Sequence, residues 1–447
     1  MCSSDLWPLV TQAGDRYPVR GSVPDPGLTR RVRTAVAARL AREAGPDGAA
    51  PDLAARTEAA RRAIAEVLRD ENGAALKAGR ALDPAAGQAA ARAVFDGLFG
   101  LGGFQEHLDD PAVETINANG CDDVFVQLSD GTRERVAPVA DSDEELIELV
   151  RAVAARNGTE ERRFDLAVPR ASVPLPGGGR LFAVMGVTGR PCVSIRRDRL
   201  AAASLRDLVR NGTLERDLAD FLAAVVRARK NIVISGGTST GKTTLMRALA
   251  AAIPPHERIV TIEDSLELQL GRDRAAHPDV VAMQAREPNS EGQGQITLAE
   301  LVRWALRMTP DRVIVGEVRG PELLPMLNAM SQGNDGSMTT IHASSSRGAA
   351  LKMGAYAAQS PEHLTLEDTT LLIASAVSFI VQVGWDAAGR RCVSSVREVT
   401  DADGRQVVSN EVYGPGPSKR AVPLVPVRAD TMDDLAAAGY RPARRAS

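Results

Sequence analysis

Aromatic residues make up only 3% of the 447 residues, too few for a protein that binds nucleic acid by stacking bases on rings. Cysteine is as scarce. Cys2, Cys121, Cys192 and Cys392 are scattered without a C-x-x-C pair, which argues against a disulfide framework or a zinc site and for a reducing compartment. An excess of one charge is also lacking. The 54 basic and 57 acidic residues leave a net charge of −3, so no polyanion-attracting field covers the molecule and nucleic acid is not an expected partner. No run reaches 18 uninterrupted apolar residues. The longest, Leu371 to Val383, is broken by Ser375 and Ser378 and reads as a strand or a core helix. No cationic segment followed by an apolar one opens the chain, so a secretory signal is not expected. Lysine is nearly missing: Lys77, Lys230, Lys242, Lys352 and Lys419 are the only five. A lysine retained at a chemically demanding position therefore carries weight.

What is present is 44% hydrophobic and 25% charged residues, the balance of a soluble globular protein, and a length that fits two or three domains. Residues 1–28 are rich in Pro and Gly without periodicity and read as a flexible N-terminus. Residues 29–97 are rich in Ala, Arg and Glu. Val32, Val36 and Leu40 recur at helical spacing, as do Ala60, Ile64 and Val67, and Gly45-Pro46-Asp47-Gly48 breaks the run; this is a helical arm with a solvated charged face. Residues 98–200 alternate short strands, such as Val124 to Leu128, with the amphipathic helix Glu144 to Ala155, a smaller α/β domain. Residues 198–206 read as a polar connection. From 207 to 412 strands and helices alternate, the pattern of a mostly parallel sheet covered on both faces. Residues 413–447 are rich in Pro and Arg, with Lys419, Arg420, Arg428, Arg441, Arg444 and Arg445, and read as a loose basic tail.

The strongest chemical signal is Gly236-Gly237-Thr238-Ser239-Thr240-Gly241-Lys242-Thr243, a G-x-x-x-x-G-K-T loop between an apolar strand from Asn231 to Ser235 and a helical run that begins at Thr244. Glycines let successive N–H groups point at one anion, and the helix N-terminus adds its positive end. Lys242 supplies a point charge for β- and γ-phosphates, and the Thr243 hydroxyl stands where Mg²⁺ is ligated. No lysine is followed two places later by Asp, so the guanine-reading N-K-x-D of regulatory GTPases is absent.

Arg258 to Ile262 is a second buried strand that ends in Glu263-Asp264-Ser265-Leu266-Glu267. Carboxylates at the carboxyl end of a sheet strand stand where open α/β sheets bind ligands, and attack by water needs a base there. An acidic loop capping a helix is the plainer alternative. Thr297-Leu298-Ala299-Glu300 is a capping box that opens a helix ended by Pro310. Arg312 to Val315 followed by Gly316-Glu317 is a Walker B–type strand, with Glu317 holding Mg²⁺ through water or orienting the attacking water. His342 ends a further strand after Gly333 to Ile341; it senses the γ-phosphate if it reaches the phosphate edge and is otherwise a core histidine.

Taken together, these boxes resemble the type II/IV secretion ATPase superfamily. The boxes Gly236–Thr243, Glu263–Glu267, Gly316–Gly320 and the histidine box ending at His342 occur in that family's order. Gln284-Ala285-Arg286-Glu287, Asn289, Glu291-Gly292 and Leu306 to Arg312 look most like its Tad (Flp) pilus branch, as do Asp109 to Asn117 and Val193 to Arg197 upstream. The resemblance covers roughly residues 95–400. It implies a RecA-like P-loop domain preceded by a PAS-like α/β domain, ATP and Mg²⁺ as cofactors, and a homo-hexamer at the cytoplasmic face of an inner-membrane platform protein. It makes Glu267 the general base with Glu263 second, adds Thr244 to the phosphate loop, and likens Arg180, Arg190 and Arg196 to arginines that reach phosphate. Surface salt bridging is the plainer role for those three. The chain departs from the pattern at Asn334, where the family usually has His, at Pro174 and Phe182, and at Ser344-Ser345-Ser346. The lack of cysteine pairs sets it apart from the zinc-bearing type II secretion branch. The function implied is an ATPase motor for pilus assembly or secretion. A nucleotide-bound scaffold with negligible turnover and a DNA-translocating motor are the alternatives.

Overall fold

The computed structural model describes residues 25–43, 52–157, 163–175, 178–197, 203–288 and 292–442, with the backbone of 19–20. Expectations for residues 1–18 and 21–24, the Gly45–Gly48 break, Gly177, Asn289, Glu291, Arg444 and Arg445 lie outside the described residues. The chain divides into two compact units, Met1–Arg199 and Leu200–Ser447.

The first unit opens with three helices, α1 (Pro26–Glu43), α2 (Leu53–Lys77) and α3 (Pro84–Phe99). Their apolar stripes close on one another through Leu28, Val32, Val36, Ile64, Val67 and Val94, so the arm has a core of its own. The flexible reading fails from Pro26 onward, because Leu28 is a fully buried member of that core. Next come α4 (Gln105–Asp109), strands β2 (Val113–Asn119), β3 (Val124–Leu128) and β4 (Arg133–Val136), helix α5 (Asp143–Asn157), and strands β5 (Arg170–Pro174), β6 (Gly179–Val184) and β7 (Cys192–Arg197). With β1 (Val19–Arg20) they form a seven-stranded sheet in the order β1-β4-β3-β2-β7-β6-β5 among the described residues. Alternate residues such as Ile116, Leu181, Val193 and Ile195 are buried, the period-two pattern of a sheet with one face on the core.

The second unit contains α6 (Leu205–Arg210), α7 (Arg216–Arg227), β8 (Ile232–Gly236), α8 (Lys242–Ala250), β9 (Ile259–Glu263), β10 (Val280–Gln284), α9 (Leu298–Ala305), β11 (Arg312–Val318), α10 (Leu323–Ser331), β12 (Met338–His342), α11 (Ser346–Ala357), α12 (Leu366–Ala376), β13 (Phe379–Trp385), β14 (Arg391–Asp403), β15 (Gln406–Pro415), β16 (Ala421–Pro423) and α13 (Ala429–Ala437). Strand order is β10-β9-β11-β12-β8-β13-β14-β15-β16. The first six run parallel and the last four form an antiparallel meander. This is the RecA-like arrangement. Ile232 and Ile234 face one core and Val233 the other, because helices cover both faces of a parallel sheet. At the amino edge of the strands, fully buried Arg312 makes a two-bonded pair with Glu257 at 2.7 and 2.9 Å.

Two expectations are corrected here. Ser204 begins a capping box with Asp207 and starts α6, so the polar connection is in part the first helix of the second unit. The expected loose tail is folded over its described residues, 413–442: Leu435 of α13 is fully buried in the main core, Lys230 Nζ sits 2.6 Å from Asp434, and buried Glu398 accepts the backbone N–H of Arg428. Prolines and arginines look loose in one dimension; apolar Val427 and Leu435 and distant acidic partners are what hold the segment.

Candidate active site

The carboxyl ends of β8, β9, β11 and β12 bring the sequence boxes together. After β8 the loop Gly236–Thr243 turns into α8. Gly241 has φ 95°, a torsion that favours glycine. A Cβ at Gly236 would lie 2.7 Å from the Val383 carbonyl oxygen, so β13 presses on the loop where only a hydrogen fits. Ser239 holds φ 60° without being glycine, a strained conformation of the kind found at ligand sites. Gly237, Thr238 and Ser239 are exposed at the crest, while Thr240 and Lys242 are buried and Thr243 and Thr244 half-buried.

Lys242 Nζ donates to the carbonyls of Gly236 at 3.2 Å and Gly237 at 2.8 Å, and it lies 3.2 Å from His342 Nδ1. An ammonium only donates, so Nδ1 accepts and the ring proton sits on Nε2. That nitrogen lies 2.5 Å from Glu317 Oε1. Burial pushes the His342 pKa below its ordinary value, against the opposing pull of the Glu317 carboxylate. His342 therefore stands between Lys242 of the loop and Glu317 and links the two.

Glu317 is aimed by a break in register: between Val315 and Val318 the pairing of β11 with β12 shifts, a bulge of the sort that re-aims a side chain. Arg319 Nε then donates to Glu317 Oε2 at 2.9 Å, and its Nη1 to Asp264 at 3.3 Å. Glu263 sits on the adjacent strand, within 3.0 Å of where a Cβ on Gly316 would stand. It is 3% exposed, its Oε1 accepts the N–H groups of Glu267 (3.0 Å) and Leu268 (2.9 Å), and its Oε2 is buried without a partner. Desolvation pushes its carboxyl up to about 7 despite those two N–H donors. Glu267 is half-buried one turn of chain further on. Its carbonyl accepts Arg247 Nε at 3.1 Å and Nη2 at 2.7 Å. Buried Arg247 of α8 thus ties the acidic loop to the P-loop helix, a residue that sequence reasoning passed over. Its signal was an arginine inside the otherwise apolar Leu245–Ala252 run.

Thr243 and Glu317 offer hard oxygen donors of the kind Mg²⁺ takes, and that ion keeps several waters and phosphate oxygens rather than a full protein cage. When bound it would neutralise charge on the phosphates.

In the first unit the three arginines differ. Arg190 donates to both oxygens of Asp143 and to Asp122, each at 2.8 Å, and lies against Gly120 where a Cβ would fall 2.2 Å from its Cζ. It is a structural clamp and would have to break those pairs to reach anything else. Arg180 and Arg196 instead face each other directly across β6 and β7, with no ion-pair partner among the described residues. Asn334, the departure in the histidine box, donates to the Pro310 carbonyl at 2.6 Å. It stands before β12, at the opposite edge from His342, so the missing histidine takes nothing from the phosphate edge. Ser345 N-caps α11 through the Gly348 N–H, and Ser346 bonds Ser395 at 2.8 Å.

Known proteins resemble this chain in sequence. The family described as "Type II/IV secretion system protein" matches residues 103–412. A protein of Mycobacterium tuberculosis strain H37Rv described as "Putative conjugal transfer protein" is 35% identical over 305 residues, 65% of this chain and 84% of that one. VirB11 of Agrobacterium fabrum is 30% identical over 306 residues, 62% of this chain and 86% of that one. Among solved structures, the VirB11 ATPase of the Brucella suis type IV secretion system, crystallised with sulphate, is 28% identical over 69% of this chain and 96% of its own, at a TM-score of 0.36. The chain belongs to the type II/IV secretion system protein family.

Proposed function

We propose that this protein is an ATPase, a hexameric motor of a Tad (Flp) pilus or a related secretion machine, acting on an inner-membrane platform protein from the cytoplasmic side. The branch rests on the residues around Gln284–Glu287 and Leu306–Arg312 that resemble it. No helix among the described residues is long and apolar enough to cross a membrane; association with the platform is therefore read as peripheral.

The observation that carries the catalytic reading is the contact chain Lys242–His342–Glu317 at the carboxyl edge of the sheet. The loop carbonyls that now take the Lys242 ammonium yield it to the β- and γ-phosphates. Thr243 and Glu317 would hold Mg²⁺, which would neutralise phosphate charge, and Glu317 could instead orient the attacking water. Glu267 is the general base, free to turn toward an attacking water, while Glu263 fixes its loop by accepting the Glu267 N–H. Arg180 and Arg196 form an anion-binding pair for nucleotide phosphate, since two uncompensated guanidinium groups side by side are relieved by a bound anion.

Replacing Glu267 by Gln tests this. Turnover is expected to fall about 100-fold or more, the range of a positioned proton acceptor, with ATP affinity kept. Unchanged ATP turnover would remove Glu267 from the role, and no turnover in the parent chain at any concentration would favour the scaffold alternative.

A further inference from the structure

The P-loop accounts for phosphate and leaves the rest of a nucleotide without a holder. Beside it stands a feature that neither the motif nor the family match assigns. Trp385 ends β13 and is 46% exposed in a chain with three tryptophans. Its location follows from register. Val383 pairs with Gly236, the first residue of the loop, and Phe379, Val381 and Val383 all point into the core that contains Leu245, Met246 and Leu249 of α8. Side chains two apart share a face of a sheet. Trp385 therefore continues on the α8 face, past the strand end, at the level of the phosphate loop.

Its cross-strand partner is Arg391. The Arg391 guanidinium carbon stands 5.2 Å from the Trp385 ring centroid, its Nε donates to the Ser239 carbonyl at 3.0 Å, and its Cδ is 3.6 Å from where a Cβ on Gly241 would be. One arginine thus stacks on the ring and grips the strained residue of the loop. A surface tryptophan needs no such arrangement, and a ring that is 46% exposed beside its cation still has open surface for a planar partner.

We infer that Trp385 and Arg391 form the nucleoside subsite, with the base of the bound nucleotide stacking on the open surface of Trp385 and Arg391 setting ring and loop in register. This rests on the nucleotide site proposed above. It makes Trp385 a binding residue for the base and Arg391 a positioning residue for the loop.

Calorimetric titration of the full chain with ATP and with inorganic tripolyphosphate tests it, because the second ligand has the phosphates and no base. Trp385→Ala is expected to weaken ATP about ten-fold, within the range of one base–aromatic stack, and to leave tripolyphosphate within about two-fold. Trp385→Phe keeps a ring and is expected to restore ATP binding, which also answers a folding defect in the alanine variant. Arg391→Ala is expected to weaken both ligands, since it frees the Ser239 carbonyl. Equal loss of ATP and tripolyphosphate in Trp385→Ala, or no loss of either, overturns the subsite. Lys242→Ala separates the two claims. If it abolishes both ligands while Trp385→Ala leaves ATP untouched, the subsite alone fails; if the parent chain binds neither ligand, the nucleotide site fails with it.

Discussion

Burial of Glu263 at the end of β9 lifts its carboxyl from an ordinary 4.5 to about 7, desolvation outweighing the N–H groups of Leu268 and Glu267. A carboxyl whose pKa is raised by folding contributes stability that is fully present below its unfolded value and is lost as pH rises through the folded one. A shift of this size corresponds to about 3 kcal/mol. Urea unfolding is therefore expected to show this contribution shrinking between about pH 5 and pH 8, and to lose that slope in Glu263→Gln, which keeps an acceptor for both N–H groups. An unchanged slope in the variant would mean that other groups carry it. At this scale Lys242 was legible, since its neighbours in sequence are its neighbours in space. Arg190 was not: its partners Asp143 and Asp122 lie 47 and 68 residues away, and nothing local distinguishes a clamp from a phosphate ligand.

Elements were read well where local pattern decides them. Val124–Leu128, Cys192–Arg197 and the Thr297–Glu300 capping box stand where periodicity and cap chemistry put them. The apolar run Leu371–Val383 turned out to be both of its readings, the end of α12 followed by β13. The meander β14–β16 and helix α13 were unreadable because their stability comes from distant contacts, such as Arg420 with Asp386 at 3.3 Å and Arg227 with the Ala438 carbonyl at 2.9 Å. The cross-strand pair Arg180–Arg196 makes its own prediction. Like charges directly opposite each other cost stability, so Arg180→Ala is expected to raise unfolding stability by about 0.2–1 kcal/mol. The same change is expected to lower ATP turnover. Measuring both in one variant tests the anion role, for a merely structural arginine would lower stability and a spectator would leave turnover alone.

For the whole molecule the expectation concerns assembly. If six protomers share the work, specific ATPase activity rises with protein concentration until the ring is populated, as mass action requires, and Lys242→Ala is inactive throughout. Steady-state hydrolysis over a dilution series measures this. Activity that is flat with concentration, together with a monomeric mass by light scattering, would remove the ring.

The sequence by itself determined the family, because the glycine-rich loop, acidic box, Gly316-Glu317 strand end and histidine box are each written in contiguous residues. Tertiary structure alone decided which of these residues meet. It linked Lys242 to Glu317 through His342, tied Glu267 to α8 through Arg247, set Trp385 beside the P-loop, placed Asn334 at the far edge and turned Arg190 into a clamp. The reason is physical: strand order and register bring together groups far apart in the chain, such as the Arg391 side chain and the Ser239 carbonyl, 152 positions apart, and no local pattern encodes that distance.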